Sequence, residues 1–446
     1  MGLLPRLRCG GRALIAIICC ALALDVFSAG RAIGADGPSP TEPRPGQADG
    51  WAAACPPANI ASDLELAARA ERRGQLELAE DAYRRVLDGC PLHQGARRAL
   101  IRLAGGRPLP RTSQAYEQAR SNLPDRFLEF ETKRFIVLSD ADWQWTRAQA
   151  QRLERTHHQF QRFARRLRLE PLPLRHKLIC VLFADRAEYQ HFAGAHDDVA
   201  DPWIAGYYSP KHDRVVFYRG EANPSVVEAR SKLRQMGTDI DSIARQADHA
   251  MRQGQREQAA VLRQHRQRYR EHLLQERRRV DAFAEQISIA TTVHETTHQL
   301  LFHTRIQTPR IQYPIWISEG LATAFETDAT GGAFGPDHEY APRREAFEEL
   351  LGDDGLIDLR DLVTWTRIAT NEEQTVHAVY QQSYALVTWL NRCRAGQLSR
   401  YLQLMLVEPP GSIEPDRYRR LFEEAFGDID RLQHAWLSYE RSRLEP

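Results

Sequence analysis

The spacing of apolar positions changes twice along this chain, and each change marks a boundary. From Ser62 to Ala104, apolar and small residues recur three and four apart, as amphipathic helices require. Within DLELAARAERRGQLELAEDAYRRVLDGCP, Gly74 separates two such runs and Pro91 closes the second. Near Phe130 the period shortens. FETKRFIVLSD and HKLICVLFAD read as strands, separated by an amphipathic, Arg-rich helix from Trp143 to Leu167. AGYYSPKHDRVVFYRG (205–220) follows with two alternating runs around the turn Ser209-Pro210-Lys211-His212-Asp213, a hairpin pattern. From Pro224 to about Ser288 the chain becomes highly charged and helical, and helical periodicity then continues to the C-terminus. There YALVTWLNRC, RYLQLMLV and RLFEEAFGDIDRLQHAWLSYERSRL are helices, with Gly427-Asp428 as a turn or cap in the last pair.

The N-terminus follows a different logic. Arg6, Arg8 and Arg12 precede twelve apolar residues, Ala13 to Leu24, and small residues follow at Ser28-Ala29-Gly30 and Gly34-Ala35. Twelve residues are too few to cross a bilayer as a helix, so residues 1–35 read as a signal peptide cleaved on export. Residues 36–57, rich in Pro, Gly and Ala, read as a linker. The mature chain is expected to be secreted, periplasmic or held at the cell surface, without stable membrane insertion. Three of the seven cysteines leave with the signal, and Cys55, Cys90, Cys180 and Cys393 remain. Cys55 and Cys90 flank one helical pair, where an oxidising compartment would allow a bridge, and Cys180 in LICVLF reads as a buried strand residue.

Composition narrows the function classes. The 446 residues are 42% hydrophobic and 27% charged, enough for a large core and two or three domains. Sixty basic side chains against 59 acidic ones give a net charge of +1, so no overall field recruits nucleic acid. Even the basic stretch 221–280 contains a single aromatic residue, Tyr269, and reads as a solvated helical insertion rather than a nucleic-acid surface.

The chemistry lies in IATTVHETTHQLLFHT. On a helix His294 and His298 share one face, so both imidazoles can reach one metal ion, and Glu295 lies beside that face. Pro309 and Pro314 then punctuate a loop, and WISEGLATAFE begins a second helix at Trp316. Glu319, 21 positions after His298, can add a third ligand, leaving a fourth tetrahedral position for water. Two His and one Glu with an open position is the arrangement of catalytic zinc, and no thiolate competes. One Zn²⁺ per chain is therefore expected. Glu326 and Thr323 are candidates to accept the second N–H of a ligand histidine, and His303 reads as structural. The strand near Gly206–Ser209 or Val215–Tyr218 is a candidate cleft edge for extended peptide.

These motifs resemble known families. Leu66, Ala67, Gly74, Ala79, Tyr83 and Pro91 stand at the spacings of a tetratricopeptide repeat, which implies a helical hairpin over 58–110. HETTH with the Trp-x-x-Glu-Gly-Leu-Ala helix resembles the gluzincin branch of the zinc metallopeptidases. With YYSPKHDRVVFY and YQQSYALVTWL it looks most like the secreted bacterial peptidase-MA-like domains, over about 125–440. The resemblance implies an α+β, thermolysin-like catalytic domain, a small mixed sheet over an active-site helix with a helical C-terminal lobe. The divisions expected are 125–220 for the N-terminal α/β part, 221–286 for the insertion, 287–330 for the zinc-binding helices and 331–446 for the lobe. It implies His294, His298 and Glu319 as ligands, Glu295 as general base and a tyrosine, Tyr380 or Tyr384, as oxyanion donor. The Gly-x-Met-x-Asn strand of the family's exopeptidases does not occur, so aminopeptidase specificity is not implied. The expected activity is zinc-dependent hydrolysis of peptide bonds in a peptide or protein substrate. The alternative is a non-catalytic zinc-containing scaffold on the same fold, with the helical hairpin or the Arg-rich helix as a surface for a protein partner. Hydrolysis of a non-peptide amide or ester would use the same site.

Overall fold

The computed structural model describes residues 57–444 apart from 203, 354 and 369–371. The expected signal peptide, the expected linker up to residue 56 and Cys55 lie outside them. The described chain opens with helices α1 (Pro57–Arg72), α2 (Leu76–Gly89) and α3 (Gln94–Ala104). Ala67, Ala82 and Ala96 are fully buried between them, small enough to let the helix axes approach, and Gly74 turns α1 into α2 at a φ of 70°. The hairpin expected over 58–110 is thus a three-helix unit. Leu172, buried in the same cluster, joins it to the rest of the molecule. Cys90 is disulfide-bonded, while Cys180 and Cys393 are free thiols.

After α4 (Gln114–Ser121) the sheet begins. FETKRFIVLSD is two strands rather than one. β1 (Leu128–Glu131) turns through Thr132–Arg134 into β2 (Phe135–Ser139), an antiparallel pair with Leu128 opposite Ser139. The Glu154 carboxylate holds that turn, accepting from the Arg134 backbone amide at 2.7 Å and the Thr132 hydroxyl at 2.8 Å. Helix α5 (Trp143–Arg166) crosses to β3 (Leu178–Phe183), and α6 (Arg186–Asp197) leads to the hairpin β4 (Gly206–Ser209) and β5 (Arg214–Tyr218). The strand order β1-β2-β3-β5-β4 is mixed, with β2/β3 and β3/β5 parallel and both outer pairs antiparallel. Strands β2, β3 and β5 are buried along their whole length because both faces are covered. Val137, Cys180 and Val215 face the main core, and Ile136, Val181 and Val216 face a second cluster with α4 and α6.

Helical geometry runs without interruption across the expected division at 286. The insertion is a helical hairpin, α7 (Pro224–Arg252) and α8 (Arg256–His303), and α8 runs unbroken through the HExxH motif for 48 residues. Val226, Leu233, Ile240 and Ala247 are buried at intervals of seven, the seam of a coiled coil, and an Arg230–Asp281 ion pair links the two helices near the base. Only the last stretch of α8 is enclosed: every residue from Ile287 to Leu301 is buried, between the sheet, α5 and the C-terminal helices. Three of its four buried threonines donate their hydroxyls to carbonyls one turn back, Thr292 to Ser288 and Thr296 to Thr292 at 2.6 Å and Thr297 to Val293 at 2.8 Å.

The remainder is helical: α9 (Ile315–Phe325), α10 (Ala341–Gly352), α11 (Leu359–Leu362), α12 (Glu373–Cys393), α13 (Ala395–Leu406), α14 (Pro415–Phe426) and α15 (Ile429–Ser442). Gly427, at a φ of 89°, ends α14, and the Asp428 side chain caps α15. The fold is α+β. Among the described residues no helix is long and apolar enough to cross a membrane.

Candidate metal centre

Helix α8 presents His294 and His298 one turn apart, and α9 crosses it with Glu319 facing both. The Nε2 atoms of the two histidines are 3.2 Å apart. The Glu319 carboxylate lies 3.2 Å from His294 Nε2 and 3.4 Å from His298 Nε2. All three side chains are buried, and their ligand atoms lie within 4.8 Å of one another. Gly320 is what lets α9 sit so close: a Cβ there would be 2.6 Å from Val387 Cγ2 and 2.7 Å from the Ser383 carbonyl of α12.

The partners of His294 fix its tautomer. Its Nδ1 lies 2.9 Å from Glu326 Oε1, a carboxylate that can only accept, so Nδ1 carries a proton in either charge state, and a neutral ring keeps its lone pair on Nε2, facing the cluster. Glu326 is not on the ligand helix, as its spacing suggested, but caps it, with extended backbone that turns the carboxylate back. Arg343 of α10 grips Glu326 with two hydrogen bonds of 2.7 and 2.8 Å. Sequence reasoning missed Arg343, one arginine among many with no spacing to mark it. Thr323 does not serve as a partner; its hydroxyl donates to the Glu319 carbonyl at 2.7 Å.

Electrostatics follow from burying four carboxyl and imidazole groups together. Burial and the Glu319 charge raise the Glu295 pKa to about 8, against the opposing pull of His294 and of the Tyr208 backbone amide, which hydrogen-bonds the Glu295 carboxylate from edge strand β4. Burial disfavours a charged His294, yet its bonds to Glu319 and Glu326 outweigh this and push its pKa up to about 10. Burial would raise Glu319 too, but the two histidines hold it well below the usual carboxylate range. Arg343 likewise overrides the burial of Glu326 and lowers its pKa.

The donor set fits a cation. Two imidazole nitrogens and a carboxylate converge, Glu319 Oε1 accepts no hydrogen bond, and Glu295 Oε2 is buried without a partner. Buried carboxylates with oxygens that accept no hydrogen bond are stabilised by positive charge beside them, which a protonated His294 or a bound cation supplies. Two His and one Glu are borderline donors of the kind zinc takes.

The other candidates lie on different elements. Tyr380 and Tyr384 are both buried on α12; the Tyr384 hydroxyl accepts from the Tyr340 backbone amide at 3.0 Å, and burial pushes its pKa up to about 12. β4, not β5, is the sheet edge beside Glu295. His303, at the end of α8, faces Asp213 and His176 instead of the cluster.

A family model matches part of this chain. Residues 288–410 are similar to the family described as Protein of unknown function (DUF1570). The DUF1570 span contains His294, Glu295, His298, Glu319, Glu326, Arg343 and both tyrosines, and begins inside α8, beyond the sheet and most of the helical hairpin. Comparison with curated proteins and with solved structures found no match.

Proposed function

We propose that this chain is an exported zinc-dependent metallopeptidase of gluzincin type, with a thermolysin-like arrangement of sheet, active-site helix and helical lobe. The observation that carries the proposal is a buried His294–His298–Glu319 cluster beside a buried carboxylate, Glu295, with an oxygen that has no partner. A structural zinc site would be closed by a fourth protein ligand and would have no use for that carboxylate.

His294, His298 and Glu319 would hold the ion, and zinc in that setting supplies a Lewis acid for a carbonyl group and for water. Glu295 takes a proton from water at its free oxygen and delivers it to the departing amine. A basic carboxyl suits that task, and burial supplies the basicity. Glu326, held by Arg343, keeps His294 in the ligand tautomer. Tyr384, accepting from the Tyr340 amide, retains its own proton to donate to developing negative charge, and Tyr380, one turn earlier, is the other candidate donor. Edge strand β4 offers main-chain groups to an extended peptide.

A specific observation favours the scaffold alternative: none of His294, Glu295, His298 and Glu319 is more than 3% exposed, so the centre is closed to a polypeptide in this conformation. Metal content and cleavage of a peptide library, measured for wild type and Glu295→Gln, separate the readings. We expect zinc in both and cleavage by wild type alone. Zinc in both with cleavage by neither would favour the scaffold. Absence of zinc from wild type would overturn the ligand assignment.

A further inference from the structure

A second group of metal-ligand side chains lies at the far end of α8. His303 is its last residue, Asp213 sits in the β4–β5 turn, and His176 is in the segment leading into β3. Their ligand atoms lie within 4.8 Å of one another. His303 Nε2 contacts Asp213 Oδ1, and His176 Nε2 is 3.5 Å from Asp213 Oδ2.

The hydrogen-bond partners of His176 orient it as a ligand. Its Nδ1 is 3.0 Å from the Lys177 carbonyl oxygen, which can only accept, so Nδ1 must carry the proton. A neutral His176 therefore turns an Nε2 lone pair toward a carboxylate oxygen. An imidazole lone pair and a carboxylate oxygen 3.5 Å apart can share one cation, a proton or a metal ion. A backbone carbonyl on the other ring nitrogen is also how proteins orient a metal-ligating histidine. The carboxylate is held in turn, since the Tyr208 hydroxyl donates to Asp213 Oδ1 at 3.3 Å. The place itself favours positive charge, because the C-terminus of a long helix carries the negative end of its dipole.

We propose that His176, Asp213 and His303 form a second cation site, selective for a late first-row divalent ion such as Zn²⁺. Two imidazoles and one carboxylate suit that class better than Mg²⁺ or Ca²⁺, which prefer oxygen. The three side chains are 13–26% exposed, so solvent can complete the coordination. The site is not a second half of the first. Five residues separate His298 from His303, about 7.5 Å along the axis and about 140° around it, whereas paired catalytic metals stand about 4 Å apart. Its role is to clamp three segments, tying the turn of the edge hairpin and the lead-in to β3 onto the end of α8. The inference does not depend on peptidase activity.

The test uses the full mature chain without a polyhistidine tag, equilibrated with zinc buffered at low micromolar free concentration. Bound zinc is counted for wild type, His303→Gln, His176→Gln and the double variant His294→Ala/His298→Ala, with circular dichroism to confirm folding. We expect two ions per wild-type chain and one in each of the three variants. Thermal stability of the double variant should rise with zinc, and that rise should vanish when His303→Gln is added. Because His176 lies outside helix and strand, His176→Gln decides the matter if His303→Gln fails to fold. Two ions retained in both glutamine variants, or a wild type holding one ion that only the double variant loses, would overturn the proposal. One ion in wild type that His303→Gln removes and the double variant keeps would uphold it and reject the first centre instead.

Discussion

Arg343→Leu would keep bulk in the interior of the C-terminal lobe while leaving the buried Glu326 carboxylate uncompensated. Breaking a buried ion pair from one side costs about 3–5 kcal/mol, and substitutions behind a metal ligand lower metal affinity about 10- to 100-fold. Urea unfolding and zinc titration should register both losses, and adding Glu326→Gln should recover much of the stability, because no buried charge then stands alone. A second residue sets an acid limit. Burial, with help from the Arg134 charge, pushes the His157 pKa from 6.5 down to about 4. Below about pH 6.5 the unfolded imidazole takes a proton that the folded one refuses, so folding weakens as pH falls from about 6.5 to about 4 and then levels off. The shift corresponds to at most about 3 kcal/mol. His157→Gln should flatten that part of the pH–stability curve and leave the curve near pH 8 parallel to that of wild type. Equal slopes for wild type and variant between those two pH values would remove His157 from the explanation.

Among the elements, α9 is the most constrained. Gly320→Ala would drive a methyl group into the Ser383 carbonyl and Val387 of α12, and a backbone atom cannot swing aside. Overpacking of this kind costs about 1–3 kcal/mol, and here it also displaces Glu319, the preceding residue. Gly237, inside α7, has open space where a Cβ would stand, so Gly237→Ala should instead stabilise by about 0.5–1 kcal/mol. Thermal melts of the two variants should move in opposite directions, and zinc affinity should change only in Gly320→Ala. The elements that local periodicity specifies were legible in the sequence: α5 to within a residue, the β4–β5 hairpin, and α9 with its carboxylate. β1 and β2 ran together there because Thr132–Arg134 carries no Gly or Pro to announce a turn that Glu154, from the helix that follows β2, holds in place. The division placed at 286 follows a change in charge, across which helical geometry continues in one helix. The partner of Glu326 and the grouping of His176 with Asp213 and His303 depend on tertiary contacts between residues 17 to 127 positions apart, which no local spacing records.

At the scale of the whole molecule, α8 connects a solvated arm to the proposed metal centre without a Gly or Pro between Arg256 and His303. At about 1.5 Å per residue it is about 72 Å long, and the histidines occupy its final turns. Such a rod has a phase as well as a length. Removing one residue from its exposed part would rotate everything beyond the cut by about 100° relative to His294 and His298. The matching face of α7 would then no longer meet it. Removing seven from each helix shortens the arm by about 10 Å but returns the Val226–Leu233–Ile240–Ala247 seam almost to its original heading. Paired seven-residue deletions should therefore melt and bind zinc as the parent does, while paired three-residue deletions should lower the melting temperature. The arm can be lengthened or trimmed only in steps of seven residues, like a screw that seats once every second turn.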